Sequence, residues 1–269
     1  GNTAVGYVAL TANTTGTHNT AVGAYALDAV NGGNSNVAIG HQALTSLTTN
    51  DGNIAIGRDS LSSLTNGTGN TGVGHKTLED NTAEHNTAIG YAAGLQNTTG
   101  SNNTAMGSQA FDANTTGSHN TAVGRNALSA STTANNNVAV GRAAMAANTT
   151  GFNNVAVGAN ALDDNTTGQE SVAVGTYALN ASNGSFNTAL GYNSMGANTT
   201  GTNNVAVGYA ALDANTTQSN NVAIGHRALT AQTTADQNVA VGADAMFTNT
   251  TGEYNTAVGF MALYSNTTA

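Results

Sequence analysis

A glycine returns sixteen times along this chain, at positions 6, 23, 40, 57, 74, 90, 107, 124, 141, 158, 175, 191, 208, 225, 242 and 259. Thirteen of the fifteen intervals are 17 residues and two are 16. Around each glycine stands the same phrase, roughly Asn-(Thr/Val)-Ala-(Val/Ile)-Gly, then a small–large pair, then Asn-Thr-Thr-Gly. A fixed period running end to end specifies a solenoid, because one unit can bury its apolar side only against its neighbours. The expected fold is all-β: a parallel β-solenoid, or β-roll, of about sixteen 17-residue coils. No composition shift or linker interrupts the array, so residues 1-269 read as a single repeat solenoid domain. At about 4.8 Å per coil, such an array makes a rod of roughly 75 Å.

The residue before the glycine is aliphatic in every copy, as in Val5, Val22, Ile39, Ile56 and Val258, and two residues earlier stands Thr, Val or Ile. β-Branched residues at alternate positions mark a strand. Between them comes Ala in fifteen copies and Gly72 in the other. The expectation is that the β-branched row lines the coil's core and the Ala row faces outward, close to another chain's backbone. A second strand is expected at the small–large pair, with Leu10, Leu27, Leu44, Phe111, Met145 and Leu263 inward and the preceding Ala outward. Strands covered on both faces fit this pattern, so a homo-oligomer is expected, with a trimer favoured.

Asn stands four residues before the glycine in fifteen units, and Ser171 replaces it in the other. That column reads either as a stacked amide ladder or as a plain turn preference. The two short units lose their residue around Thr82-Ala83-Glu84-His85 and Asn183-Gly184-Ser185-Phe186, where a turn tolerates deletion. Proline is absent, as a ladder of backbone donors requires. Gly1-Asn2-Thr3 already lies inside the first unit and the array stops in register. Uncovered strand edges invite pairing, so the chain is expected to be a segment of a longer fibre or to stack end to end on further coils.

Composition narrows the partners. Five Lys+Arg face fourteen Asp+Glu, a formal charge of −9, which argues against nucleic acid and against an anionic membrane surface. No run approaches the roughly 18 apolar residues of a membrane span, so no membrane insertion is expected. The absence of cysteine removes disulfides, thiolate metal sites and cysteine nucleophiles.

Chemistry concentrates just after the glycine. Tyr7, His41, Arg58, His75, Tyr91, Arg125, Arg142, Tyr192, Tyr209 and His226 form a candidate exposed binding column, and Lys76 and Arg227 follow one step on. Spaced aromatic and cationic groups on a stiff rod suit sugar rings or acidic glycans. The plainer alternative is that they cover the corner and pair with Asp28, Glu79, Asp112, Asp163 and Asp213. The six His residues are scattered, no pair has metal-ligand spacing, and no metal site is expected. The acidic pairs Glu79-Asp80 and Asp163-Asp164 read as solvated turns. Neither a recurring Ser/His/Asp set nor a phosphate-cradling glycine loop is present, so no catalytic residue, no cofactor and no enzymatic activity are expected. Departures from the repeat are mild: Gly94-Leu95, and Val30, Leu47 and Leu64 in place of Asn. Thr recurs eight residues after the glycine in fourteen units, a row that an ice-binding solenoid would use to order water. Nine Asn-Thr-Thr sequons from Asn13 to Asn266 would sugar-coat that face in a glycosylating host.

Asn-Thr-Ala-Val-Gly at 19–23, Asn-Val-Ala-Ile-Gly at 36–40 and Asn-Val-Ala-Val-Gly at 204–208 resemble the head repeats of trimeric autotransporter adhesins. The fuller unit at 204–217, Asn-Val-Ala-Val-Gly-Tyr-Ala-Ala-Leu-Asp-Ala-Asn-Thr-Thr, looks like repeat arrays of phage and virus-like tail fibres. The resemblance covers the whole chain. It implies a parallel β-roll built as a trimer, exposed on a cell or virion surface and used for attachment. The adhesin heads commonly have a shorter repeat, and fold transfers between such families more safely than function. The expected function is a structural extracellular fibre or adhesive shaft. The alternative is a receptor- or glycan-binding adhesin or tail-fibre head, with an ice-binding solenoid as a third reading.

Overall fold

The computed structural model describes residues 1–268, and the chain divides into two compact units, 1–136 and 137–269. The first unit holds eight three-residue strands: β1 (Thr3–Val5), β2 (Thr20–Val22), β3 (Val37–Ile39), β4 (Ile54–Ile56), β5 (Thr71–Val73), β6 (Thr87–Ile89), β7 (Thr104–Met106) and β8 (Thr121–Val123). The second holds β9 (Val138–Val140), β10 (Val155–Val157), β11 (Val172–Val174), β12 (Thr188–Leu190), β13 (Val205–Val207), β14 (Val222–Ile224), β15 (Val239–Val241) and β16 (Thr256–Val258). Within each unit every strand pairs in parallel with the strand one coil later, like residue over like residue, as Ala4 over Ala21 and Val155 over Val172. The fold is a parallel β-solenoid, with no helix among the described residues. In the short coils the register is kept, Thr71 over Thr87 and Val172 over Thr188. The deletions are therefore absorbed in the turns, as expected.

The facing of the strand is the reverse of the expectation. Ala21, Ala38, Ala55, Ala156, Ala173 and Ala206 are fully buried inside their own coils, while the β-branched neighbours point out. Val5, Ile39, Ile56, Val157 and Ile224 are all exposed, as is Leu190 in the same row. The reason is the narrowness of the coil. A Cβ added at Gly72, the one gap in the Ala column, would lie 2.6 Å from Ser60 Oγ, 3.0 Å from Thr77 Oγ1 and 3.4 Å from Leu61 Cδ1. The inward strand position thus faces the corner residues directly, and only a methyl fits between them. The Ala row is interior and cannot meet another chain.

Gly72 also records a compensation. Its coil neighbours carry Ser60 and Thr77 where most coils carry Ala, and Ser60 Oγ lies 3.1 Å from the Gly72 carbonyl and 2.8 Å from Thr77 Oγ1. Gly72→Ala is expected to destabilise the first unit by about 1–3 kcal/mol through overpacking. Ser60→Ala with Thr77→Ala should relieve most of that loss. Urea unfolding of the single, double and triple variants closes the cycle, and additive effects would contradict the shared space.

The expected second strand is a corner instead. Its small and large residues are both buried, as Ala26 with Leu27 and Ala43 with Leu44, and its backbone is not extended. Tyr25 and Leu27 have φ of 59° and 49°, Gln42 and Leu44 of 57° and 52°. Left-handed residues at alternate positions turn successive amides in opposite directions. Leu27 N–H donates forward to the Ala43 carbonyl at 3.1 Å, and Tyr25 N–H donates back to the Tyr7 carbonyl at 2.9 Å. A left-handed Leu costs about 1–2 kcal/mol, which full burial of that side chain, about 1.5–3 kcal/mol, offsets.

Two asparagine ladders line the remaining interior. Four residues before the glycine, Asn36 N–H donates to Asn19 Oδ1 and Asn53 N–H to Asn36 Oδ1, both at 2.9 Å. The same side chains donate through Nδ2 to carbonyls of the next turn, Asn53 to Gly67 at 2.8 Å and Asn154 to Gly168 at 2.8 Å. The ladder is real, but its rungs run mainly from amide to backbone. A second ladder lies seven residues after the glycine, where Asn165 Nδ2 donates to Asn148 Oδ1 at 2.9 Å. Val30, Leu47 and Leu64 take that place in three coils, fully buried, so these departures from the repeat serve the core.

Candidate functional site

The recurring glycine builds the corner that presents the candidate column. These glycines have φ between 130° and 142°, and a Cβ at Gly208 would lie 2.4 Å from the Gly225 carbonyl oxygen. Backbone thus rests on backbone from coil to coil, and the following side chain leaves each coil in the same direction. Nine of the ten candidate residues are exposed, and His75 is half-buried.

They do not form one continuous site. In the first unit Tyr7 and His41 each meet Tyr25 edge to face, with centroids 5.5 and 5.9 Å apart, and His75 leans on Tyr91 at 5.7 Å. In the second unit Tyr192, Tyr209 and His226 form a stack, with centroids at 5.5 and 5.4 Å and planes within 10° and 17°. Offset stacking of this kind is a favourable aromatic contact in its own right. It also turns the ring faces toward one another, so what the stack offers to solvent is chiefly ring edges and hydroxyls. Tyr192 and Tyr209 remain 49% and 52% exposed.

Four of the five cations are held locally. Arg58 Nε lies 3.1 Å from Asp59 Oδ2, Lys76 Nζ 3.1 Å from Glu79 Oε2, and Arg227 Nη2 2.9 Å from Asp244 Oδ1. Arg227 also covers the Phe247 ring at 4.9 Å, and Arg142 donates to Asn160 Oδ1 at 2.6 Å. Of the five acids expected as partners, Glu79 pairs with a cation, and its hydrogen bond and charge raise the Lys76 pKa. Asp28 accepts from Thr45 Oγ1 at 2.7 Å, Asp163 from Asn160 Nδ2 at 2.7 Å and Asp213 from Asn193 Nδ2 at 2.5 Å. Partial burial pushes the carboxyls of Asp112 and Asp213 up. It does the same at Asp80, where the neighbouring Glu79 charge adds to it. Three histidines face carboxylates, His75 Nε2 at 3.8 Å from Asp59 Oδ2, His85 Nδ1 at 4.0 Å from Glu84 Oε2 and His226 Nδ1 at 3.9 Å from Asp244 Oδ1. Among the described residues no three His, Asp or Glu side chains converge as metal ligands would.

The Thr row and the sequons change meaning. Thr98, Thr149 and Thr199 donate their hydroxyls to the Thr carbonyls of the next coil at 2.7, 2.9 and 2.9 Å, so these hydroxyl protons are tied into the ladder. The sequon asparagines Asn97, Asn114, Asn148, Asn165, Asn198, Asn215 and Asn249 are buried. A glycan on any of them is incompatible with the stacked coil. A further column escaped the sequence reading, six residues before the glycine. There a short oxygen-bearing side chain accepts from the backbone one coil earlier, as Asn34 Oδ1 from Thr17 N at 2.9 Å and Ser219 Oγ from Thr202 N at 3.0 Å. The prevalence of Ser, Thr, Asn and Asp in that column was the available signal.

No protein-family model matches the chain, and no curated protein is found to be similar to it.

Proposed function

We propose that the chain is a non-catalytic structural shaft, part of an extracellular fibre on a cell or virion surface, whose copies associate side by side through the outward strand face. The observation that carries this reading is the outward β-branched surface. In the second unit the two outward rows run from Val138 and Val140 to Thr256 and Val258 without one charged residue. Monomeric proteins rarely leave a contiguous apolar patch larger than roughly a few hundred Å², and parallel strands are normally covered on both faces. A second copy presents the same rows at the same spacing, and the adhesin-like repeat agrees with three-fold packing. Catalysis has no place in this reading, since the departures at Val30, Leu47 and Leu64 fill the core.

Sedimentation of the purified chain tests it. The expected result is a particle of several chains, trimer first, that falls to one chain in Val157→Glu with Ile224→Glu. A wild-type chain that sediments alone at micromolar concentration would contradict the proposal.

A second reading, a glycan-binding head, is favoured by the Tyr192–Tyr209–His226 stack beside Arg227. A glycan array separates the two. A shaft retains no sugar, whereas a head binds one and loses it in Tyr209→Ala. The tied Thr hydroxyls speak against the ice-binding alternative.

A further inference from the structure

We propose that Asn66 is a self-modifying site, at which the chain converts its own asparagine to aspartyl and isoaspartyl forms through cyclisation onto Gly67. The sequence holds three Asn-Gly pairs, 31–32, 66–67 and 183–184. This dipeptide is the one best suited to the reaction, because glycine offers no side chain to hinder attack by its nitrogen. The structure separates the three.

The electrophile comes first. Asn31 Oδ1 accepts the Thr14 hydroxyl. Asn183 Oδ1 accepts Thr166 N–H and Oγ1–H, both at 2.7 Å, and Thr167 N–H at 3.3 Å. Asn66 is exposed, and its side-chain amide has no partner among the described residues.

The nucleophile follows the same division. In three coils that keep Asn seven residues after the recurring glycine, that Asn holds the amide of the glycine three residues later. Asn13 Oδ1 accepts Gly16 N–H at 2.9 Å, and Asn114 Oδ1 accepts Gly117 N–H at 3.0 Å. In the coil of Gly67 the place is taken by Leu64, which has no acceptor to offer, and Gly67 N–H is unpaired among the described residues. By contrast Gly184 N–H donates to Ser182 Oγ at 3.2 Å and Gly32 N–H to the Thr48 carbonyl at 3.4 Å.

The turn is also loosely held. The next coil is one of the two short ones, and the amides of residues 65–68 donate to nothing in it among the described residues. In a full-length neighbour, Thr115 and Thr116 N–H both reach the Thr132 carbonyl, at 2.9 and 3.1 Å. Leu64 and the shortened coil together free both reacting groups.

The reaction balances without an added reagent other than water. Gly67 N attacks Asn66 Cγ, its proton passes to the departing amide, and ammonia leaves a five-membered succinimide. Water then opens either imide carbonyl. One opening gives an aspartyl residue in the normal backbone. The other gives isoaspartate, with the chain routed through the former side-chain methylene. The Thr65 carbonyl accepts Thr48 N–H at 3.4 Å and the Gly67 carbonyl accepts Asn53 Nδ2 at 2.8 Å. The extra methylene falls between these two anchors, so the isoaspartyl product loosens that coil junction while the aspartyl product does not.

Peptide mapping of the full chain after warm incubation at mildly alkaline pH tests the proposal. It reads the mass gain of a hydroxyl replacing an amide, and fragmentation separates the two isomers. Asn66 should convert first, with Asn31 and Asn183 slower by roughly tenfold or more, the effect of breaking one or more hydrogen bonds before attack. Conversion at Asn31 or Asn183 as fast as at Asn66 would overturn it. Two variants probe the cause. Leu64→Asn should slow Asn66, and the surface change Thr14→Val should speed Asn31. Unchanged rates in both would overturn the assignment.

Discussion

Gly208→Ala is expected to destabilise the second unit by about 3–5 kcal/mol. Two penalties add. Its φ of 134° lies where side chains other than glycine's are strained, at about 1–3 kcal/mol. The new Cβ would also stand 2.4 Å from the Gly225 carbonyl oxygen and 2.7 Å from its carbon, and backbone cannot step aside as a flexible side chain would. Forcing the coils apart costs a further roughly 1–3 kcal/mol. Gly52 is the control. It has φ of 70° with nothing within 4 Å of its would-be Cβ. The equivalent place in other coils carries Ser35 and Asn102, with φ of 57° and 59°. Gly52→Asn should therefore change stability by no more than about 0.5 kcal/mol. Urea titration of both variants reads the contrast. Equal losses would show that the recurring glycine is no more than a turn preference.

Asn154→Ala should cost about 2–5 kcal/mol. Its side chain is fully buried, accepts Ser171 N–H at 3.0 Å and donates to the Gly168 carbonyl at 2.8 Å. Truncation leaves an unpaired buried amide, at about 1–3 kcal/mol, together with a cavity. Asn154→Ser should cost less, because Ser171 already shows the substitute at work, accepting Asn187 N–H through Oγ at 3.2 Å. Asn148→Leu, on the other ladder, should cost less than Asn154→Ala. The Gly151 carbonyl that Asn148 serves at 3.0 Å also accepts Asn137 Nδ2 at 2.9 Å. Leu47 and Leu64 already fill that place elsewhere. Thermal unfolding of the three variants should place Asn154→Ala as the most damaged. An Asn148→Leu variant melting as early as Asn154→Ala would put the two ladders on an equal footing.

Period, register and the site of the two deletions were all legible in the sequence, because each is a spacing and spacings survive without knowledge of direction. The fifteen Ala and one Gly announced a tight contact correctly. What they could not announce was whose contact it was. Alternation fixes which residues share a face and leaves open which face is inside. Bulk argued for Val and Ile, and the narrow coil decided for Ala. The corner was misread for a different reason. An Ala-Leu pair has no turn chemistry, and a left-handed Leu such as Leu27 is stabilised only by the coils above and below it, which no local propensity records. Nine of the ten candidate column residues are exposed, and the stacking of Tyr192 on Tyr209 and of Tyr209 on His226 was hidden, since it depends on the tilt of rings between coils. Burial of the sequon asparagines was missed for want of the same knowledge of direction.

Spin-label distances along the second unit test the stacking on which all of this rests. Arg142→Cys is combined in turn with Tyr209→Cys, His226→Cys and Phe260→Cys, positions that lie four, five and seven coils further along the repeat. Measured on labelled chain diluted into unlabelled chain, the separations should rise as roughly 19, 24 and 34 Å, one strand spacing per coil. Distances that fail to grow with the number of intervening glycines would contradict the coil-over-coil arrangement.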